Sequence, residues 1–222
     1  MIVWLSVDPL SDKYPSMSPF MYCAGNPVIL IDPDGRKIVV TRIKNDNGKD
    51  VVKISVTAKL YNGSSSNYSK DEMNNMSSGI SNQIKESFGG EYKNCEVQVK
   101  INIENIDNLS ETRGDDHLFM IVDADNSDLK NKDGSSNAGA SNVGGQVAKL
   151  NTTITDDENQ LKRTATHEFG HMAGLEHPEN ESNAAVKKAV LNDKTNIMRQ
   201  SKTSSGTTVV EQQINKIENE NK

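Results

Sequence analysis

In several stretches between Lys37 and Ile103 apolar positions alternate with polar ones, the period of a half-buried strand. Lys37 to Ile43 and Val51 to Leu60 are rich in β-branched residues and flank Asn45-Asp46-Asn47-Gly48, so they read as a hairpin. A polar loop over residues 62–69 interrupts the pattern. From Ser69 to Phe88 the period becomes helical, with Met73, Met76, Ile80 and Ile84 forming a core-facing stripe, and Gly89-Gly90 ends it. Alternation returns at residues 94–104 through Val97, Val99, Ile101 and Ile103. Leu118 to Val122 is a continuous apolar run, as in a strand covered on both faces.

The second half is more polar. A Gly/Ser/Asn/Asp-rich loop is expected from Asp123 to about Asn142, then a short edge strand over Gln146 to Leu150. A helix should begin near Asp156-Asp157, whose carboxylates suit an N-terminus, and run to Met172 or Ala173 before Gly174. A last helix is expected where Val210, Ile214 and Ile217 share a face. This order of elements predicts an α+β domain over residues 37–222. Residues 1–36 differ in texture. They hold five of the six prolines and the single tryptophan, Trp4, and read as short strands and turns closing at Asp32-Pro33-Asp34-Gly35. Such a segment is too short to bury a core of its own and must pack on something else.

Composition narrows the function. With 222 residues, 34% hydrophobic and 5% aromatic, the core is modest and the loops generous. The net charge of −6 lacks the basic footprint of non-specific nucleic-acid binding, so no nucleic-acid partner is expected. No apolar run approaches the ~18 residues of a membrane span, and residues 1–16 lack the basic-then-apolar order of a signal peptide. Cys23 and Cys95 have no metal-ligand spacing and form no disulfide framework; they read as two unpaired thiols, with a single bridge between them as the alternative. Asp123, Asp125 and Ser127 mimic the start of a calcium loop that Asp133 would extend. The sixth position is Asp128 where glycine is required, which favours a solvated loop. His117, alone before an apolar strand, reads as structural.

The chemistry concentrates in His167-Glu168-Phe169-Gly170-His171-Met172-Ala173-Gly174-Leu175-Glu176-His177, which contains three of the four histidines. Four residues of helix advance about 6 Å and about 400°, so His167 and His171 share a face one turn apart and can hold one metal ion. Gly174 permits the left-handed turn that ends the helix and brings His177 back as a third ligand, with Pro178 keeping it extended. Three neutral imidazoles suit zinc and leave a fourth position open, the mark of a catalytic site. Glu168, beside the first ligand, is placed to act as general base on the attacking water.

These eleven residues resemble the extended zinc motif of the metzincin metallopeptidases at every defining position. The resemblance implies a metzincin-like zincin: a twisted mixed sheet, a zinc-binding active-site helix, a methionine turn and a C-terminal helix. It implies a zinc endopeptidase acting on peptide or protein substrates, with His167, His171 and His177 on the metal and Glu168 catalytic. Thr195-Asn196-Ile197-Met198 resembles the methionine turn, with Met198 as a hydrophobic floor. Val147 to Leu150 is the candidate substrate-pairing edge. The sequence departs from the serralysin-like branch, which Pro178 resembles, because Gln200 stands where that branch has tyrosine.

Residues 1–36 resemble the end of an Rhs repeat-associated core. The matching pieces are Asp8-Pro9-Leu10, Tyr14 to Pro19, Tyr22, Asn26-Pro27 and Ile31 to Arg36. That resemblance implies that residues 37–222 are a toxin domain. It would be secreted or delivered to a target cell as part of a larger exported protein, and countered by an immunity protein. Two other readings stay open: a processing peptidase with no toxin role, and an inactive zincin that caps or extends an Rhs shell.

Overall fold

The computed structural model describes residues 38–199 and 206–221. The segment expected over residues 1–36, with Cys23, and the Gln200 position lie outside them. Within them the chain is α+β: β1 (Ile38–Lys44), β2 (Asp50–Asn62), α1 (Lys70–Phe88), β3 (Gly90–Glu91), β4 (Cys95–Ile106), β5 (His117–Val122), β6 (Gly139–Ser141), β7 (Val147–Asn151), α2 (Glu158–Met172), α3 (Ala184–Asn192) and α4 (Glu211–Glu220). No helix among the described residues is long and apolar enough to cross a membrane.

The expected hairpin forms, with Ile43 opposite Val51, and Gly48 adopts the positive φ that its turn requires. Ser69 caps α1 in a reciprocal box with Glu72, which satisfies two backbone donors and stabilises the helix by about 1 kcal/mol. Met73, Ile80 and Ile84 are buried and Met76 is half-buried, so the stripe faces the core. α1 is the crossover between parallel strands β2 and β4. Cys95, at the start of β4, is a buried free thiol.

Seven strands form one mixed sheet in the order β3-β4-β2-β5-β7-β6, with β1 paired to β2 beside that path. β4, β2, β5 and β7 run parallel, whereas β1, β3 and β6 are antiparallel to their neighbours. This corrects one expectation. The strand at Val147 is not an edge, because β6 pairs outside it with Ala140 opposite Lys149. β6 lies inside the stretch read as loop; Gly-Ala-Ser carries neither β-branched nor large apolar residues, so no pattern marks it. α3 was likewise not expected, since only Val186 and Val190 are buried among its lysines and asparagines.

α2 packs on α1 and on the β6–β7 end of the sheet. Phe88 and Phe169 meet edge to face, centroids 5.2 Å apart, a contact worth roughly 1 kcal/mol beyond its area. α4 is tied to β1 by Arg42, whose guanidinium donates to Glu218 through Nε at 3.0 Å and Nη2 at 2.6 Å.

Candidate metal centre

α2 begins at Asp157, whose carboxylate accepts from the backbone of Asn159 and Gln160. It ends in a paired C-terminal turn: Gly174 donates to the His171 carbonyl and Leu175 to the Gly170 carbonyl, each at 2.9 Å, with Gly174 at φ 95°. This reversal carries the chain back to His177 within three residues.

The three imidazoles close on one point. The Nε2 atoms of His167 and His171 each lie 3.0 Å from Nε2 of His177. Their opposite nitrogens are committed. His167 Nδ1 donates to the Ile197 carbonyl at 2.7 Å and His171 Nδ1 to the Leu175 carbonyl at 2.8 Å. A carbonyl only accepts, so both Nδ1 atoms carry the proton and both Nε2 atoms present lone pairs. His177 can donate one proton to one of those lone pairs and leaves the other facing nitrogen. A cation accepts from all three, so the donor set fits a metal ion. Among the described residues this trio is the group of ligand-type side chains whose donor atoms converge, all within 4.8 Å.

Burial keeps the trio in the ligand-competent neutral form. Desolvation pulls His167 down to about 3, His171 to about 4, and His177 below its ordinary value. The same burial acts in the opposite sense on Glu168, whose carboxyl is pushed up to about 7 against the opposing hydrogen bond from Ser141. Glu168 is 5% exposed. Ser141 Oγ lies 2.8 Å from Glu168 Oε2 and 3.0 Å from its backbone carbonyl. β6 thus holds the Glu168 carboxyl from above. A Cβ on Gly139 would come within 2.9 Å of Glu168 Oε1 and 2.8 Å of Thr164 Cγ2, so a larger residue would have to push these side chains aside.

The turn at Thr195–Met198 lies beneath. Met198 is fully buried, and a Cβ at Gly170 would overlap its sulfur. Asn196 Oδ1 accepts from the Met198 backbone at 3.0 Å, and Asn196 Nδ2 donates to Gln213 Oε1 at 2.8 Å. Gln213 Oε1 also accepts from the Val210 backbone at 3.0 Å. The Ile197 backbone is bridged to Thr208, donating to its carbonyl at 2.8 Å. The carbonyl that orients His167 is therefore held from the C-terminal segment. Ser141 and Gln213 carry no mark in the sequence, and Asn196 is marked there only as a member of the Thr195–Met198 turn, not as the partner of Gln213. The Ser141–Glu168 and Asn196–Gln213 partners are distant in the chain, and no local spacing marks either pairing.

The other expected positions do not join the site. Asp123 accepts from the backbone and hydroxyl of Ser65, Asp128 pairs with Lys149, and Asp133 accepts from Ser135. His117 is buried at the start of β5 beside Asp116. Searches of protein-family models and of curated proteins find no match to this chain.

Proposed function

We propose that the histidine centre holds zinc and that the chain is a metzincin-type endopeptidase, the toxin domain of an Rhs-type protein. The observation that carries the peptidase reading is the convergence of oriented imidazole lone pairs with a buried carboxyl, Glu168, one residue from the first ligand. The 3.0 Å spacing of His177 Nε2 from each of the other two Nε2 atoms is close to the about 3.3 Å of ligands set tetrahedrally 2.0–2.1 Å from zinc. Zinc, when bound, polarises a peptide carbonyl and lowers the pKa of water.

The chain's own residues supply the rest. Glu168, with a pKa near neutrality, accepts a proton from the attacking water and returns it to the leaving amine. Ser141 fixes the carboxyl rotamer. Met198 floors the ligands and Ile197 sets the tautomer of His167. β6 is the outermost strand at this end of the sheet and touches Glu168, so an extended peptide added to its free edge would run past the base. The toxin role rests on the resemblance of residues 1–36 to an Rhs core.

The test is zinc content and casein hydrolysis of wild type beside Glu168→Gln. Stoichiometric zinc in both is expected, with a rate lower by roughly 10²- to 10⁴-fold in the variant. Undiminished hydrolysis in Glu168→Gln would defeat the mechanism. Growth arrest on expression, absent for Glu168→Gln and relieved by a neighbouring gene product, tests the toxin role.

A further inference from the structure

α2 carries one charged residue beside the ligands that the site described above does not use. Arg163 precedes His167 by four residues and Gly170 by seven. It therefore lies one turn before His167, on the stripe that leads to Gly170 and Met198. It is half-buried, and its Nε is sealed from solvent without a hydrogen-bond partner. The acids nearest in sequence are engaged elsewhere: Glu158 pairs with Lys162 at 2.9 Å, Glu168 accepts from Ser141 at 2.8 Å, and Asp157 caps the helix. No acid among the described residues pairs with Arg163.

Nε has lost water without gaining an acceptor, which is unfavourable, while the terminal nitrogens are not sealed and remain free to receive one. Burial pulls the guanidinium pKa down, and its charge is felt at His167, which puts it within electrostatic reach of the ligands. The chain has 31 acidic and 25 basic residues, yet none of the acids among the described residues pairs with this cation. A planar fork of donors matches a carboxylate better than any other common peptide group.

We propose that Arg163 receives a substrate carboxylate, an aspartate or glutamate side chain flanking the scissile bond, and so gives the site a preference for acidic sequences. The inference rests on the peptidase reading, and its test separates the two. A peptide library varied at the positions flanking the bond is incubated with zinc-loaded wild type, Arg163→Gln and Arg163→Glu, and the cleaved bonds are read by mass spectrometry. Wild type should select Asp or Glu at one flanking position. Arg163→Gln should lower kcat/KM for the best acidic peptide by roughly 10- to 100-fold, the worth of one hydrogen-bonded charge, with zinc content unchanged. Arg163→Glu should turn the preference toward Lys or Arg. The same cleavage profile in wild type and Arg163→Glu overturns the proposal.

A second readout needs no hydrolysis. Glutarate is titrated into zinc-loaded Glu168→Gln while the Nε–H resonance of Arg163, identified by its loss in Arg163→Gln, is followed by NMR. A saturable shift, with glutarate affinity about tenfold weaker when Arg163→Gln is added, supports the assignment. An unmoved resonance overturns it even if casein is cleaved. A shifted resonance in a protein that cleaves nothing keeps Arg163 as the carboxylate-binding residue and removes the peptidase reading.

Discussion

His117 and the trio of His167, His171 and His177 lie in two regions of one molecule, and all four are pulled below the ordinary imidazole range. In both regions the largest cause is burial. They differ in where their nitrogens point. Nδ1 of His117 is sealed without a partner at the start of β5. In α2, the Nδ1 atoms of His167 and His171 are spent on carbonyls, so their Nε2 lone pairs are free and aimed at a common point. A perturbed histidine thus reports a dry environment wherever it occurs. A site requires that one nitrogen be committed so that the other is available, and that several such atoms converge.

Substitution of one member from each region gives the largest contrast. His171→Ala removes one of the three proposed ligands and should abolish stoichiometric metal binding and, with it, hydrolysis. His117→Leu removes an equally buried imidazole and should leave metal content at the wild-type level. Metal analysis of the two purified variants decides the matter. Zinc retained in His171→Ala, or lost in His117→Leu, would erase the distinction between the regions.

Acid should separate them next. The folded pKa of His117 is about 4 against an unfolded value of 6.5, so the unfolded chain takes up the proton first. The stability that goes with neutral His117 is complete above pH 6.5 and is lost as pH falls from 6.5 to 4. That loss amounts to about 3 kcal/mol. His117→Leu cannot take up this proton, so its urea unfolding free energy should fall by that much less between pH 7 and pH 4 than the wild-type value does. The trio is present in both proteins and cancels in the comparison. Equal acid sensitivity would mean that protonated His117 finds solvent or Asp116 at little cost.

How far each feature could be read from the chain follows from how local it is. The ligands occupy eleven consecutive residues on one helix and its reversal, so helical geometry alone brings His167, Glu168, His171 and His177 together. The β1–β2 hairpin and α1 declare themselves through period and caps within single stretches. β6 does not, because three small residues carry no pattern; its place is set by Gly139 fitting against Thr164 and Glu168, a contact across 25 residues or more. The edge was therefore assigned one strand too far inward. The pairing of Asn196 with Gln213 is equally silent, since an amide at either position looks like any surface amide until α4 folds onto the turn.

That amide pair supplies the smallest and most discriminating test. Gln213 and Asn196 are both fully buried, and Gln213→Leu leaves Asn196 Nδ2 and the Val210 backbone N–H without their acceptor. The cost should be about 1–3 kcal/mol in unfolding free energy. Thr208 and Asn196 hold the strand bridge around Ile197, so a loosened turn also frees the carbonyl that orients His167. Zinc affinity in a chelator competition should then weaken by roughly tenfold, the lower end for groups that support a ligand. His117→Leu is the matched control, the same exchange of a buried polar residue for leucine with no path to a ligand, and its zinc affinity should not change. Lower stability with unchanged affinity in Gln213→Leu would mean that the packing of Met198 on Gly170 holds the turn by itself, and the C-terminal helix would then contribute to the fold and not to the metal centre.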